Sequence, residues 1–456
     1  MTTVTHRSRS FLPLDVNLVG TIMAVAVIVL LVGPRTALGV LVLIPLLTVL
    51  STGATARDNM SRLPPPLTVA IALFATYVLL SAAWSAAPLQ AIYTAAIGAF
   101  VLAANWAAIA GISLLPPERT AKFANAIVIG FALGMAFLFV EELTDDAIKL
   151  FFYKHLPFIT RNPKHMVMKD QEVLNLAVYL SNRSMAAASL LLWPVLGILS
   201  VLLAGSTKKV WFLLSALTLF AASCVTVLMS QHETSAIALA VGGIAFLTAF
   251  AWRKFAFAMV AAGWFSAIAL VIPVAHYAYD NLQLQKAQGL PFSARARVVI
   301  WKYTASRVFY APVLGVGANA TDELDVRRGA VAVLPDEPIA LRTARHAHNI
   351  YLQVWYELGV AGAAFLLLIG ASAIGAIRRL QTNVQPYALA TFATSATMAA
   401  TSWSLWQEWF MASFALAAAA VWLMQHLSTI AGEPADQSAS PGEPPSSRLK
   451  SAAAAQ

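Results

Sequence analysis

Residues 343–379, TARHAHNIYLQVWYELGVAGAAFLLLIGASAIGAIRR, place a polar segment, a long apolar run and a basic pair in that order. The apolar part, residues 350–377, exceeds the ~20 residues that an α-helix needs to cross a bilayer. Arg345, His346 and His348 stand directly before it. The pattern therefore predicts a membrane-spanning helix with a cationic or titratable site at one end.

The composition of the whole chain indicates a polytopic α-helical membrane protein. Of 456 residues, 59% are hydrophobic and 11% are charged, whereas soluble domains carry about 25% charged residues. The apolar runs continue over about 17–25 residues, which predicts helices, since strands of a membrane barrel would alternate over about ten residues. One cysteine, Cys224, cannot form an intrachain disulfide. The net charge of +9 is typical of membrane topology and contact with anionic lipids, so no nucleic acid partner is expected.

We predict about twelve membrane-spanning helices, and the first apolar run is interpreted as a retained span rather than a cleaved signal peptide. The short loops on one side carry most Lys and Arg residues, and those on the other side carry only Arg35, which predicts cytoplasmic N- and C-termini. The predicted spans centre on residues 17–33, 36–52, 67–84, 89–112, 121–140, 184–204, 210–230, 234–251, 255–275, 350–377, 387–402 and 410–430.

This topology divides the chain into six parts, with two long loops outside the cytoplasm. They are helices 1–5 (1–140), a first long periplasmic loop (141–183), helices 6–9 (184–275), a second long periplasmic loop with the site residues (276–349), helices 10–12 (350–430) and a disordered cytoplasmic tail rich in Pro, Ser and Ala (431–456).

Four arginines gather at the outer ends of the predicted spans. Guanidinium groups form bidentate bonds with phosphate and do not titrate, so several together would suit a diphosphate headgroup in the outer leaflet. Arginines at span ends also reach lipid headgroups without binding a specific ligand, and this alternative stays open for each one. The four residues are Arg183, Arg295, Arg297 and Arg345.

The histidines of the opening stretch lie among these positive charges. Nearby arginines disfavour imidazolium, so a neutral ring would be available as a general base. If the segment is helical, His346 and His348 do not share a face and only one points into the site. Asn349 either orients a ring or caps the following helix. His232, in the short outer turn 230–233, is a further candidate for the cavity wall, while Trp403 and Trp409 are typical of an aromatic belt at the outer interface.

The element RHAHNIYLQVWYELGVAG, preceded by SARARVVIW and APVLGVGA, resembles the O-antigen ligase and O-antigen polymerase superfamily of bacterial inner-membrane glycosyltransferases. The resemblance extends from Arg183 to about Gly362 and includes the span count. It implies a GT-C-like membrane fold and a metal-independent enzyme without a cofactor. The implied donor is a glycan linked to undecaprenyl diphosphate, and the acceptor is lipid A-core or another glycan, with the active site on the periplasmic face of the inner membrane.

The resemblance also implies roles for individual residues. His348 matches the catalytic histidine, and Arg297 and Arg183 match arginines that hold the diphosphate. His346, Arg295 and Arg345 are further members of the site, and Asn349 supports it. The leading hypothesis is a ligase that transfers O-antigen onto lipid A-core.

Two alternatives remain. A polymerase that joins repeat units belongs to the same superfamily, but the outer loops lack the arginine-x10-glycine spacing of some polymerases. A twelve-span secondary transporter fits the span count equally well, yet transporters usually keep ionisable residues near the membrane midplane. Here the span interiors are nearly free of charge, which favours chemistry at the outer surface.

Overall fold

The computed structural model describes residues 14–52, 65–156, 166–169, 172–176, 181–204, 209–327, 346–401 and 403–432. Within these ranges, helices dominate, and a single two-stranded ribbon accompanies them. In chain order the elements are α1 (Val16–Val32), α2 (Ala37–Thr52), α3 (Pro65–Leu80), α4 (Pro88–Ser113), α5 (Pro117–Leu143), α6 (Ala147–His155), β1 (Met166–Lys169), β2 (Glu172–Leu176), α7 (Asn182–Ala204), α8 (Lys209–Met229), α9 (Glu233–Ala251), α10 (Arg253–Ala269), α11 (Val271–Asp280), α12 (Phe292–Val308), α13 (Thr321–Arg327), α14 (Ile350–Ile377), α15 (Gln385–Thr401) and α16 (Glu408–Gly432).

Every one of the twelve predicted spans coincides with a helix. Among the described residues, nine helical segments are long and apolar enough to cross a membrane, and α10 with α11, bent by 67°, makes a tenth. The remaining two, α1 and α15, have 17 residues each. The protein is therefore a multi-pass helical membrane protein with nine or ten candidate spans.

The predicted all-α fold holds for the membrane part, and the described residues of the first long loop add one short hairpin. β1 pairs antiparallel with β2, and the register shifts between Val167 and Met168. The polar Lys169–Glu172 connection lies between two short segments rich in Val, Leu and Met, which favours a hairpin over a continuous helix. The boundary between the first long loop and helix 6 is close to the prediction, since α7 begins at Asn182.

The centre of the bundle is α7, which is buried from Ser184 to Leu199 and packs against α16, α15, α8 and α5. Large apolar side chains on the peripheral helices point outward instead; Leu89 and Phe250 are 80% and 81% exposed. In lipid such side chains need no cover, because the backbone groups behind them are satisfied within each helix.

One end of this bundle positions the site. There α5, α8 and α15 end, and α7, α9, α14 and α16 begin. The antiparallel pair α9 and α15 shows the arrangement, because the Thr234 hydroxyl near the start of α9 donates to the Thr401 carbonyl at the end of α15. We call this the site end.

Candidate functional site

Asn349 sets where α14 begins. Its Oδ1 accepts a hydrogen bond from the backbone N–H of Leu352 at 3.0 Å, which is the bond of a helix N-cap. Of the two roles open from the sequence, the structure shows the cap. The chain before it is therefore not helical, and His346 and His348 both precede the helix.

His346 and His348 form a close pair. His348 has a positive φ of 50°, and its backbone N–H donates to His346 Nδ1 at 3.2 Å. The ring centroids are 4.1 Å apart. The expectation that only one ring points into the site assumed a helix, but residues 346–349 are not helical and the planes of the two rings are inclined by 44°.

The His346 ring is held neutral. Burial, followed by the neighbouring His348 and the charge of Arg297, lowers the pKa of His346 to about 3. A neutral imidazole that accepts at Nδ1 carries its proton on Nε2. In the neutral ring of His346, Nδ1 therefore accepts a hydrogen bond inside the turn, and Nε2 carries the proton and can donate.

Arg297 lies close to the histidine pair. It is on α12, and its Nη1 donates to the Thr234 hydroxyl of α9 at 3.5 Å. Its charge contributes to the lowered pKa values of both His346 and His232. Burial lowers the pKa of Arg297, and Glu233 opposes that shift. Arg297 thus brings α12, the start of α9 and the histidine pair into one cationic site.

Arg183 joins this site through aromatic rings. At the start of α7, its guanidinium lies over the Trp409 ring, 5.8 Å from the centroid. Trp409 packs edge-on against Trp403 at 4.8 Å, and Trp403 packs against His232 at 5.6 Å. These ring contacts connect Arg183 to His232, and the charge of Arg297 contributes to the lowered pKa of His232.

The aromatic belt expected around Trp403 and Trp409 is not at the surface. Trp409 is 6% exposed, and the same segment contributes Trp406, which is 9% exposed. Trp409 lies beneath Arg183, Trp403 packs on His232, and the Trp406 indole donates to Glu357. They are part of the site wall.

Arg295 lies on the same helix as Arg297. Arg295 precedes Arg297 by two helical residues, which places it about 200° around α12. Arg345 lies outside the described residues, so its predicted role remains a prediction. On α12, Val299, Ile300 and Val308 are buried in the protein.

Two cavities flank the cluster. An apolar cavity of about 320 Å³ between α9, α10 and α15 includes Tyr351, two residues after Asn349. A polar cavity of about 110 Å³ includes Ser230 and Gln231, directly before His232, together with four acidic residues of the α5–α6 region. The site thus lies between an apolar and a polar space at the end of the bundle.

Below the site, Glu357 joins three segments. The fully buried carboxylate accepts from the backbone N–H of Asn319, the Thr321 hydroxyl, the Gln353 amide and the Trp406 indole. These contacts give Glu357 a structural role at the site end. Glu408, at the start of α16, accepts from Tyr93.

Sequence reasoning did not identify Thr234 and gave His232 little weight. Both stand at the start of an apolar span that has no marker of a site beyond the tetrapeptide SQHE. Their proximity to Arg297 depends on how α9 packs against α12 and α15, and sequence spacing carries no signal of that.

These observations define a class: a multi-pass helical membrane protein with an arginine–histidine site where its spans meet at one end. Residues 217–367 match the family described as O-Antigen ligase. The match confirms the resemblance found in the sequence, and the matched residues include Arg297, His346 and His348.

Curated proteins named "Putative polysaccharide ligase" are similar to the chain over a larger region. The protein from Rickettsia typhi is 22% identical over 63% of this chain and 64% of its own length, slightly less than two thirds. That from Rickettsia felis is 22% identical over 66% of this chain and 67% of the relative. That from Rickettsia conorii is 24% identical over 65% and 67%.

Proposed function

We propose that the protein is an O-antigen ligase, which transfers a glycan from undecaprenyl diphosphate to a sugar of lipid A-core on the periplasmic face of the inner membrane. The observation that carries the proposal is the proximity of Arg297 to the His346–His348 pair, expressed in the lowered pKa of His346. The family match supports the reaction class, and the names of the relatives favour a ligase over a polymerase.

The arginines serve the leaving group. The bond between the anomeric carbon and the phosphate oxygen breaks, and the departing diphosphate takes the electron pair. Fixed guanidinium groups that meet this growing charge more strongly than they meet the bound donor lower the barrier. Arg297 and Arg183 form this clamp, with Arg295 and Arg345 as further contributors. Because arginine supplies the counter-charge, the reaction needs no divalent metal ion.

His348 is the general base. It takes the proton of the acceptor hydroxyl while the acceptor oxygen forms the new bond to the anomeric carbon, and this single displacement inverts that centre. His346 is less suited to this role, since its Nδ1 already accepts the His348 backbone N–H. It orients the turn that carries His348 and directs its own Nε2–H outward as a donor.

The membrane part fits a lipid-linked donor. The apolar cavity beside Tyr351 offers space for hydrocarbon below the arginines. We infer a GT-C-like arrangement of twelve spans, including α1 and α15, with both termini in the cytoplasm. Basic residues at the opposite ends of the helices, among them Arg253, Lys254 and Arg378, support this orientation.

The test is transfer in vitro from a purified lipid-linked glycan to lipid A-core. Loss of a general base costs about 10²–10⁴ in rate, so we expect His348→Ala to lower kcat by that factor. Arg297→Lys keeps a charge but loses the guanidinium fork, and we expect a large loss there too. His155→Ala, at the exposed end of α6, is the matched control and should retain wild-type activity.

The same assay separates the alternatives. Transfer that continues in EDTA agrees with arginine as the counter-charge, and a requirement for Mg²⁺ would contradict it. In cells, a His348→Ala strain of a ligase accumulates lipid-linked polymer, whereas a polymerase variant accumulates single repeat units. An unchanged lipopolysaccharide ladder would reject both enzymes and leave a transporter.

A further inference from the structure

His232 is linked to both arginines of the site through residues that contact it or lie beside it. It is 4% exposed and is the N-cap residue of α9, two residues before Thr234, whose hydroxyl accepts from Arg297. Its ring packs on Trp403, which contacts Trp409 beneath Arg183. A buried polar ring thus lies on the path that joins one guanidinium to the other.

His232 is held at one ring nitrogen. Its Nδ1 lies 2.7 Å from the Ser235 hydroxyl, one turn along α9. If this hydroxyl donates, Nδ1 accepts and the neutral ring carries its proton on Nε2. In other helices, serine hydroxyls donate to a backbone carbonyl of the preceding turn, as at Ser189, Ser223 and Ser413. The Ser235 hydroxyl instead contacts the His232 ring.

We propose that His232 is a third residue that binds the diphosphate of the donor, with Nε2–H as a neutral hydrogen-bond donor between Arg297 and Arg183 and with Ser235 as the residue that fixes its tautomer. The inference rests on the proposed function and adds a binding residue to the same site.

The physical reason for a neutral donor is the crowding of positive charge. A lysine between two guanidinium groups would add like-charge repulsion and would have to be desolvated. Burial, with a smaller contribution from Arg297, lowers the pKa of His232 to about 4, so the ring adds a hydrogen bond without adding a charge at neutral pH. Neutral donors aimed at an anion in a site shielded from water stabilise it without reorganisation.

The experiment measures binding of inorganic pyrophosphate, without metal ions, to the full-length protein in detergent. His232→Phe keeps a ring against Trp403 and removes the donor, and we expect about tenfold weaker binding, the effect of ~1.4 kcal/mol. His232→Gln places an amide donor near the Nε2 position, and its affinity should stay within about threefold of wild type. Ser235→Ala should weaken binding less than His232→Phe and should add nothing in the double variant.

Three results would overturn the inference. They are wild-type affinity in His232→Phe, equal loss in His232→Gln and His232→Phe, and unchanged affinity in Ser235→Ala, a variant that leaves the ring and its packing in place. Arg297→Ala separates the two proposals. If it abolishes pyrophosphate binding while His232→Phe does not weaken it, the donor site stands and the role of His232 fails. If the wild-type protein binds no pyrophosphate, the donor site fails as well.

Discussion

At the scale of single residues, the site depends on which groups stay uncharged. His232 is buried and His346 is half-buried, both near Arg297, so their neutral forms prevail and the arginines supply the positive charge. The positive φ of His348 is unusual for a residue other than glycine, and a backbone held this way costs about 1–3 kcal/mol. The turn that carries the proposed base is therefore maintained by its surroundings, including the hydrogen bond to His346.

A neutral buried histidine makes stability depend on pH. The pKa of His346 in the folded protein is about 3, below the ~6.5 of an unfolded chain, so the stabilisation is complete above pH 6.5 and is lost as the pH falls toward 3. At pH 5 the loss is ~2 kcal/mol for this residue. We expect His346→Gln, whose amide oxygen can still accept from His348, to lose less stability between pH 7 and pH 5 than wild type. Thermal unfolding in detergent measures the difference, and identical pH profiles would contradict the neutral state of His346.

At the scale of elements, α14 is shaped by the loop segment that runs beside it. Gly359 has φ 64° and interrupts the helix. The freed carbonyls of Tyr356 and Glu357 accept from Val316 and Gly317 in the segment 312–317. A helix interruption inside a membrane is tolerated where neighbouring groups satisfy the backbone in this way. Through these hydrogen bonds the second long loop is attached to α14, which begins directly after the histidine pair and its Asn349 cap.

Gly317 tests this tie. Its φ is +101°, and an added Cβ would lie 2.3 Å from the Ser85 Cβ and 2.5 Å from the Ser85 Cα. Backbone strain and the clash together predict that Gly317→Ala destabilises the protein by roughly 3 kcal/mol. Gly289→Ala, in the same loop with no atom within 4 Å, is the control and should melt like wild type. A melting temperature of Gly317→Ala equal to that of the control would show that the segment is not closely packed.

Glu357 provides a second test at this scale. Glu357→Leu removes the acceptor from Asn319, Thr321 and Trp406, while the Gln353 amide keeps Ser404, and we expect a loss of about 4 kcal/mol in unfolding free energy. Glu357→Gln can keep its oxygen toward Asn319 and Trp406 and donate to the Thr321 hydroxyl, so its loss should be about 1 kcal/mol. Chemical unfolding of the two variants measures the ratio. Equal losses would mean that side-chain volume, and not hydrogen bonding, determines how much residue 357 contributes to stability.

At the scale of the whole molecule, the proposed reaction requires the site end and the basic end of the bundle to face opposite sides of the membrane. Gly289 and Thr382 are exposed in loops near these two ends. In a variant with Cys224→Ser, we expect Gly289→Cys to react with an impermeant maleimide in intact spheroplasts and Thr382→Cys to react only after lysis. The reverse pattern would place the site in the cytoplasm and remove access to a periplasmic acceptor.

The amino-acid sequence by itself determined the class of protein and the position of its helices. A long uninterrupted apolar run crosses lipid as a helix, because a helix satisfies its backbone hydrogen bonds internally. Local sequence therefore suffices to locate α2, α7 or α14. Asn349 as a cap, and glycines at positive φ beside Pro312, are local signals of the same kind. The histidines were also recognisable because they stand directly before a long apolar run, and Arg297 was recognisable through the resemblance of the segment SARARVVIW.

Only the tertiary structure decided which of these groups lie together. Contacts between residues far apart in the chain determine the surroundings of the site. They bury Trp409 beneath Arg183, place His232 against Trp403, and hold the turn that pairs His346 with His348. Sequence periodicity tells which face of a helix is apolar, but not which neighbour that face contacts. Arg295 and Arg297 are only two residues apart, yet they point to different sides of α12 because each residue turns the helix by about 100°. The hairpin in the first loop was missed for the same reason, since short strands are stabilised by their partner rather than by their own sequence.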